Sequence, residues 1–526
     1  LTQDVTASTT ADVVATKIVV TTQPGAIISG VSMTQPVVKF VNASNTLDTV
    51  TRTDVVTITE NGAGSITVGT TSVTATGGIA TYSGLVYSAN ADDEAVTFTF
   101  TDDVAANPSN FSSSSVSSTA LVADVLATKL VSTVDPATCV SGLACTTQAT
   151  IQAQNAQSLL DNDYITAVTA AEIGLGALVG AANQGAMTAG SLSTTGLGYT
   201  ATADQEIFTF TFDSSGLTQD VTASTTADVV ATVIAFTTQP SNSTSGLALA
   251  TQPVITARDA NNKTDTGFTE TITLTELSAG TLTNNTTSSV AGVATFATLI
   301  YTASADQESF TLTADDDAGV GTNLATTTAS STTSDVIATK IIVFTNPTSS
   351  VSGVSMTQPV IRFVNAQNTL DTLANTDVVT ASVLSGGTVS GTTTSTASNG
   401  VSTFSALLHV ATADQQAFVL RFTDDASGTN AFNGTPVDAS STTSNVVATK
   451  FLVTLATTTA VAGSADTLTL TAANAGDVTD TGYSATGKTY TFVDASSTAL
   501  SAHVPANTPA TAPTIPSSST IQAAFS

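Results

Sequence analysis

The sequence predicts an all-β chain built of tandem β-sandwich domains, and three observations predict it. Thr, Ala, Ser and Val dominate, Trp is absent and only a tenth of the residues are charged, a balance that favours strands and turns over long helices. Apolar and polar residues alternate over short windows, as at Val96, Phe98 and Phe100, which is the period of a half-buried strand. One phrase also returns along the chain: "VVATKIVVTTQP" at Val13, "VLATKLVSTVDP" at Val125, "VVATVIAFTTQP" at Val229, "VIATKIIVFTNP" at Val336 and "VVATKFLVTLAT" at Val446. The threonines Thr16, Thr128, Thr232, Thr339 and Thr449 stand 112, 104, 107 and 110 residues apart. A repeat of two dozen residues would mean a solenoid; this period means whole domains, as beads on a string.

Within the first repeat seven segments read as strands by alternation and turn punctuation. They are "KIVVTT"; "QPVVKFVNA" after the Ser29-Gly30 turn; "TDVVTITE"; "SITVGTTSVTA"; "IATYSGLVYSA" after Gly77-Gly78; "EAVTFTFTD"; and "SSTALVADVLA", which runs into the next repeat. Seven short strands in about 108 residues suit a two-sheet immunoglobulin-like sandwich. The boundaries that follow are residues 16–127, 128–231, 232–338 and 339–448 for four full repeats, with 449–526 a partial or divergent fifth.

The "TK" opening of the first strand, the "QPV" second strand with its Asn/Asp-Ala bend, the "GGIATY" strand and the alternating Phe strand resemble the Ig-like (Big-type) tandem repeats of bacterial and archaeal surface-fibre, surface-layer and adhesin proteins. The resemblance covers the four full repeats and implies an extracellular, cell-surface setting. It departs in the fifth, where "TLTLTAANAGDVTDTGYSATGKTYTFVDA" resembles the front half of another Ig-like variety.

The first sixteen residues, "LTQDVTASTTADVVAT", return unchanged at Leu217 to Thr232. Residues 1–15 therefore read as the orphan last strand of a preceding repeat. Two readings stay open: a cut edge of a longer repetitive protein, or a donor strand that completes the fifth domain of a neighbour and builds a head-to-tail homo-assembly.

Forty acids against eleven bases give a formal charge of −29. Such a surface repels nucleic acid and anionic lipid. No run approaches the ~20 apolar residues of a membrane span. The two cysteines, Cys139 and Cys145, straddle the Ser141-Gly142 turn, so paired flanks would set them face to face as a disulfide. Two thiols alone do not make a structural zinc site.

The acids recur in register. Before the Phe-rich strand stand Asp92, Asp93 and Glu94; Asp204 and Glu206; Asp306 and Glu308. After it stand Asp102 and Asp103; Asp213; Asp315, Asp316 and Asp317; Asp424 and Asp425. A seven-residue strand separates the two sets by about 20 Å, so one domain cannot bring them together, whereas a junction between domains can. Each junction would then gather the Asp-x-Glu of one repeat, the linker acid (Asp124, Asp228 or Asp335, with Asn445 at the last) and acids of the following repeat, such as Asp265 and Asp371. Oxygen-only ligands from several loops are what calcium takes, and the arrangement is similar to that of the cadherins, whose inter-domain calcium stiffens a string of sandwiches. The other reading is solvated acids on turn loops, which favour Asp for its turn geometry.

Sequons for N-glycosylation stand at Asn42, Asn110, Asn242, Asn262, Asn284, Asn285 and Asn433. The two histidines lie in different repeats, and His409 takes the place held by Tyr87, Tyr199 and Tyr301, a packing substitution and not a base. No phosphate loop, metal-binding His pair or nucleophile elbow is present. The expectation is a non-enzymatic structural subunit of a surface fibre or surface layer, or the stalk of an adhesin whose binding domain lies elsewhere.

Overall fold

The computed structural model describes residues 10–50, 54–103, 115–316, 323–374, 376–425, 435–455, 466–484 and 520–525. These residues contain strands, turns and no helix. They fall into two compact units, one of Leu1–Val233, Ala257–Thr269 and Val290–Val293, the other of Ile234–Thr256, Glu270–Ser289 and Ala294–Ser526.

In the first unit, Lys17–Thr22, Val37–Val41 and Ile79–Thr81 form one antiparallel layer of the first repeat. Ser115–Ser117, Phe98–Asp102, Val55–Glu60 and Ser72–Thr74 form the other. Alternation places Val38, Phe40 and Tyr82 from the first layer against Val56, Ile58, Phe98 and Phe100 from the second, all of them buried in one core. Two polar faces are left outside, as sandwich packing requires. The second repeat follows the same plan: Lys129–Val134, Thr150–Gln154 and Ser191–Ser193 against a six-stranded sheet centred on Glu206–Asp213 and Ala167–Ile173.

In the second unit the fourth repeat pairs Lys340–Thr345, Val360–Val364 and Val401–Thr403 in one layer, with Gln416–Asp424 and Val378–Ser385 at the centre of the other. The third repeat contributes Thr286–Ser288, Thr271–Glu276, Leu312–Asp316 and Thr327–Thr328 as a four-stranded layer. Lys450–Leu455, Asp466–Ala473 and Thr520–Phe525 form an antiparallel sheet in the fifth. The protein is therefore all-β, a tandem of immunoglobulin-like sandwiches.

Three expectations change. In the first repeat the long segments of the second half each break into two strands with different partners: Glu94–Val96 pairs with Leu121–Asp124, while Phe98–Asp102 pairs with Val55–Glu60. In the second and fourth repeats the Phe strand, Glu206–Asp213 or Gln416–Asp424, stays continuous and pairs with two partners along its length. A strand that serves both layers of a closed sandwich must bend between them, and alternation alone does not mark the bend. A two-residue strand, Ile27–Ile28, runs parallel to Ala123 and Asp124 where the sequence suggested only the approach to a turn. Residues 10–16 carry no strand, and the rest of the donor-strand reading, residues 1–9, lies outside the described residues.

Cys139–Val140 is the counterpart of Ile27–Ile28 and runs parallel to Ala227 and Asp228. Cys139 is joined to Cys145 by a disulfide with a Cα–Cα distance of 4.1 Å. In the first repeat Ile27 and Met33 fill these two places, both in the core, so the bridge replaces an apolar contact. Closing a loop across a sequence separation of 6 corresponds to about 2 kcal/mol of unfolded-state entropy. Replacing Cys139→Ile and Cys145→Met together keeps the packing and removes the bridge. The second repeat is expected to lose about that amount in denaturant titration, and an unchanged midpoint would contradict it.

Candidate functional site

Each linker is a short extended stretch whose side chains alternate. In the first, Val125 is buried, Leu126 is exposed and Ala127 is buried; Val229, Val230 and Ala231 repeat the pattern, as do Val336, Ile337 and Ala338. Such a stretch presents two backbone N–H groups that no strand partner satisfies, and buried N–H groups need acceptors. Two carboxylates supply them. Asp92 Oδ1 accepts from Val125 N at 2.6 Å, and Asp161 Oδ2 accepts from Ala127 N at 2.7 Å. The second linker has Val229 N to Asp204 at 2.7 Å and Ala231 N to Asp265 at 2.9 Å. The third has Val336 N to Asp306 at 2.7 Å and Ala338 N to Asp371 at 2.8 Å, and the fourth has Val446 N to Asp414 at 2.7 Å and Ala448 N to Asp480 at 2.9 Å. Ahead of the first repeat the second half of the same arrangement is present, Ala15 N to Asp48 at 3.0 Å.

The first carboxylate of each pair also crosses to the following repeat with its other oxygen. Asp92 Oδ2 accepts from Asn162 N at 2.8 Å, Asp204 Oδ2 from Thr266 N at 3.0 Å, Asp306 Oδ2 from Thr372 N at 2.9 Å and Asp414 Oδ2 from Thr481 N at 2.9 Å. Threonine hydroxyls of Thr266, Thr372 and Thr481 donate to the same oxygens. One carboxylate thus holds the exit strand and the next domain at once, and charge-assisted bonds of this kind are stronger than neutral ones. We call the arrangement a carboxylate clamp.

Local sequence builds both jaws. The residue after each first carboxylate, Asp93, Gln205, Gln307 or Gln415, has a φ between 53° and 56°, and its N–H donates back to the carboxylate at 2.8–2.9 Å. This left-handed turn aims the Asp at the linker. The second jaw ends a bend that starts six residues earlier. The side-chain oxygens of Asn155, Asp259, Asn365 and Asn474 accept from the N–H groups two and four residues on, at 2.8–3.0 Å. Gly190 and Gly400, both with positive φ, let that bend close: a Cβ there would lie 1.9 Å from the carbonyl oxygen of Asp161 or Asp371.

Burial alone would raise the carboxyls of Asp204, Asp306 and Asp414; the hydrogen bonds from the linker and the next repeat outweigh it and hold each below its ordinary range. The linker acids move the other way. Burial first, and then the charges of neighbouring Asp residues, push Asp124, Asp228 and Asp335 up. A raised carboxyl means that ionisation costs the folded state stability as pH rises through the carboxylate range. Asp335→Asn is therefore expected to be more stable than the parent at pH 7 and equal to it at acid pH. Asn445 already occupies this place in the fourth linker and accepts from Gln415 Nε2 at 2.6 Å. A variant less stable than the parent at pH 7 in thermal melts would contradict this.

Of the acids that the sequence offered as junction ligands, the structure brings Asp92 and Asp124, Asp204 with Asp228 and Asp265, and Asp306 with Asp335 and Asp371 to the linkers. It turns Glu94, Glu206 and Glu308 inward instead. Glu94 and Glu206 accept from the hydroxyls of Tyr87 and Tyr199, and all three Glu accept from loop N–H groups of their own repeats. Burial opposes ionisation of Glu206, yet these bonds bring it down to about 2. The acids after the Phe strand also stay in their own repeats. Asp102 is buried beside Asp54 and Asp103, Asp316 accepts from Leu324 N at 3.2 Å, and Asp425 N bonds Val378 O at 3.1 Å. Asp315 and Asp424 lie on the strands Leu312–Asp316 and Gln416–Asp424, and Asp317 lies outside the described residues. The second jaw was missed as Asp48, Asp161 and Asp480, whose signal was the constant six-residue spacing from the bend Asn or Asp, and the first as Asp414, whose signal was its place in the recurring Ala-Asp-Gln phrase.

His409 is fully buried and stacks on Phe418 at 3.8 Å, as Tyr199 stacks on Phe208 at 4.1 Å. Asn42 Oδ1 accepts two bend N–H groups, and Asn242 Oδ1 accepts from Thr332 and Thr333. Asn284 and Asn285 spend the Nδ2 that a glycan would take on the carbonyls of Thr298 and Leu274. Asn262 is exposed, with a φ of 60°. Asn110 and Asn433 lie outside the described residues.

No protein-family model matches the chain, and no curated protein matches it in sequence. Among solved structures it is similar to invasin, described as a bacterial integrin-binding protein, at 12% identity over 84% of this chain and 81% of that one, with a TM-score of 0.28. It is also similar to domains EC3-6 of protocadherin gammaB7, at 12% identity over 82% of this chain and 100% of that one, with a TM-score of 0.29. A third is the FN1-FN3 segment of chicken CNTN1, at 8% identity over 61% and 99% with a TM-score of 0.23.

Proposed function

We propose that this chain is a non-enzymatic spacer in an extracellular structure, a stalk or fibre segment whose task is to hold a length and resist bending at its domain junctions. The observation that carries this reading is the clamp itself, built from the same residue types at four successive linkers. A free hinge needs no acceptor for its backbone; here every linker has two. An enzyme needs one unique constellation of groups, and the polar groups gathered here are copied from repeat to repeat and occupied by backbone donors. The disulfide in the second repeat fits an oxidising compartment, and the strongly negative surface fits a solvated exterior.

The location is tested on intact cells of the source organism with an antibody against the second repeat. Labelling without permeabilisation, removed by brief protease treatment, is expected. Labelling only after permeabilisation would overturn the extracellular reading.

A further inference from the structure

We infer that the junction between the first and second repeats is a divalent-cation site of the calcium type, distinct in chemistry from the other three junctions. One carboxylate oxygen from each of Asp92, Asp124 and Asp163 lies within 4.8 Å of the other two. Oxygens bound to one calcium at about 2.4 Å span distances up to about that separation.

The contrast with the later junctions points to a ligand. There the side chain of the last residue before the linker valine receives an amide: Gln205 donates to Asp228, Gln307 to Asp335 and Gln415 to Asn445. At the first junction Asp93 stands in place of that glutamine, so a donor has become a carboxylate beside Asp124. The second change is at Asp163. Gly267, Leu373 and Gly482 occupy its place in the later repeats; Gly267 N and Leu373 N cap Asp265 Oδ1 and Asp371 Oδ1, each at 2.9 Å.

Asp161 has lost that cap. The residue is only 1% exposed, and its Oδ1 is buried without a hydrogen-bond partner. It meets the carboxyl of Asp163. A buried carboxylate oxygen facing a second carboxylate needs a cation or a proton between them. The junction holds five carboxylates, Asp92, Asp93, Asp124, Asp161 and Asp163, where the second holds three, Asp204, Asp228 and Asp265. The donors are all oxygens, with no Cys or His among them, which selects a hard cation. Asp92 keeps its backbone bonds to Val125 and Asn162 and offers the remaining lone pairs, so the ion adds to the clamp without replacing it.

The test is calorimetric titration of the full chain with CaCl2 at pH 7.5, after chelator treatment and dialysis. The variant Asp93→Gln with Asp163→Gly gives the first junction the residues of the second. It is expected to fold as the parent does by circular dichroism and to lose one bound calcium per chain. The reverse exchange, Gln205→Asp with Gly267→Asp, is expected to gain one. No heat with the parent, or isotherms identical for the parent and the first variant, would overturn the assignment.

Discussion

Phe210→Ala is expected to lower the stability of the second repeat by about 3–5 kcal/mol, the usual cost of truncating a fully buried aromatic. Phe210 is fully buried at the centre of the Glu206–Asp213 strand, opposite Glu172 in register, with the ring of Phe208 edge-on at 5.1 Å. It shares one core with Ile151, Val168 and Tyr199, and a close-packed interior fills the space left by a deleted ring only in part. For a domain of this size the loss corresponds to at least about 12 °C in the melting temperature of that repeat. Ile207, three positions away on the same strand, is 67% exposed, and Ile207→Ala is expected to change stability by less than about 0.5 kcal/mol. Calorimetric scans of the two variants check the alternation directly. Equal effects would mean that the strand does not present the face assigned to it.

Asp306→Ala has the second large effect, and it falls on a junction and not on a core. The carboxylate accepts from Val336 N, Gln307 N, Thr372 N and Thr372 Oγ1. Val336 is fully buried, so its N–H has no water to turn to, and an unsatisfied buried donor costs about 1–3 kcal/mol. The third and fourth repeats keep their own sheets, so both are expected to fold. What disappears is the coupling between them: their unfolding transitions separate, and a protease gains access to the linker near residue 337. Thr372→Val removes one partner of the same carboxylate, and a double-mutant cycle with Asp306→Ala isolates the bond across the junction. Because the folded state holds Asp306 below its ordinary range, the clamp contributes fully above the unfolded carboxylate range and is lost as pH falls through the folded value. The clamp is therefore expected to weaken progressively as pH falls below the ordinary carboxylate range, about pH 4, and a coupling that stays constant from about pH 7 down to the lowest pH at which both repeats remain folded would contradict this.

The parts of the protein that depend on short-range periodicity could be read from the chain alone. Lys17–Thr22 coincides with "KIVVTT", and Phe98 and Phe100 point inward as their alternation requires, because a strand with one buried face writes that face into its sequence at every second residue. The clamp was only half readable. Asp92, Asp204 and Asp306 announced themselves by recurring before the Phe strand, but their partners are backbone N–H groups of the linker. Every residue except proline carries that donor, so no pattern of residue types identifies it. The acids consequently resembled a set of ligands waiting for an ion. The glutamates two residues on recur just as regularly, yet they serve the buried tyrosines. Register alone cannot tell a side chain that faces the next domain from one that faces its own.

A distance measurement across one junction tests most directly that these carboxylates hold it. Spin labels at Leu277→Cys in the third repeat and Ser405→Cys in the fourth, both exposed positions, report their separation by pulsed dipolar spectroscopy. A narrow distribution is expected in the otherwise unchanged chain, broadening severalfold when Asp306→Ala and Asp371→Ala are combined, with both repeats still folded. Equally narrow distributions in the two proteins would mean that something other than the carboxylate clamp fixes the junction.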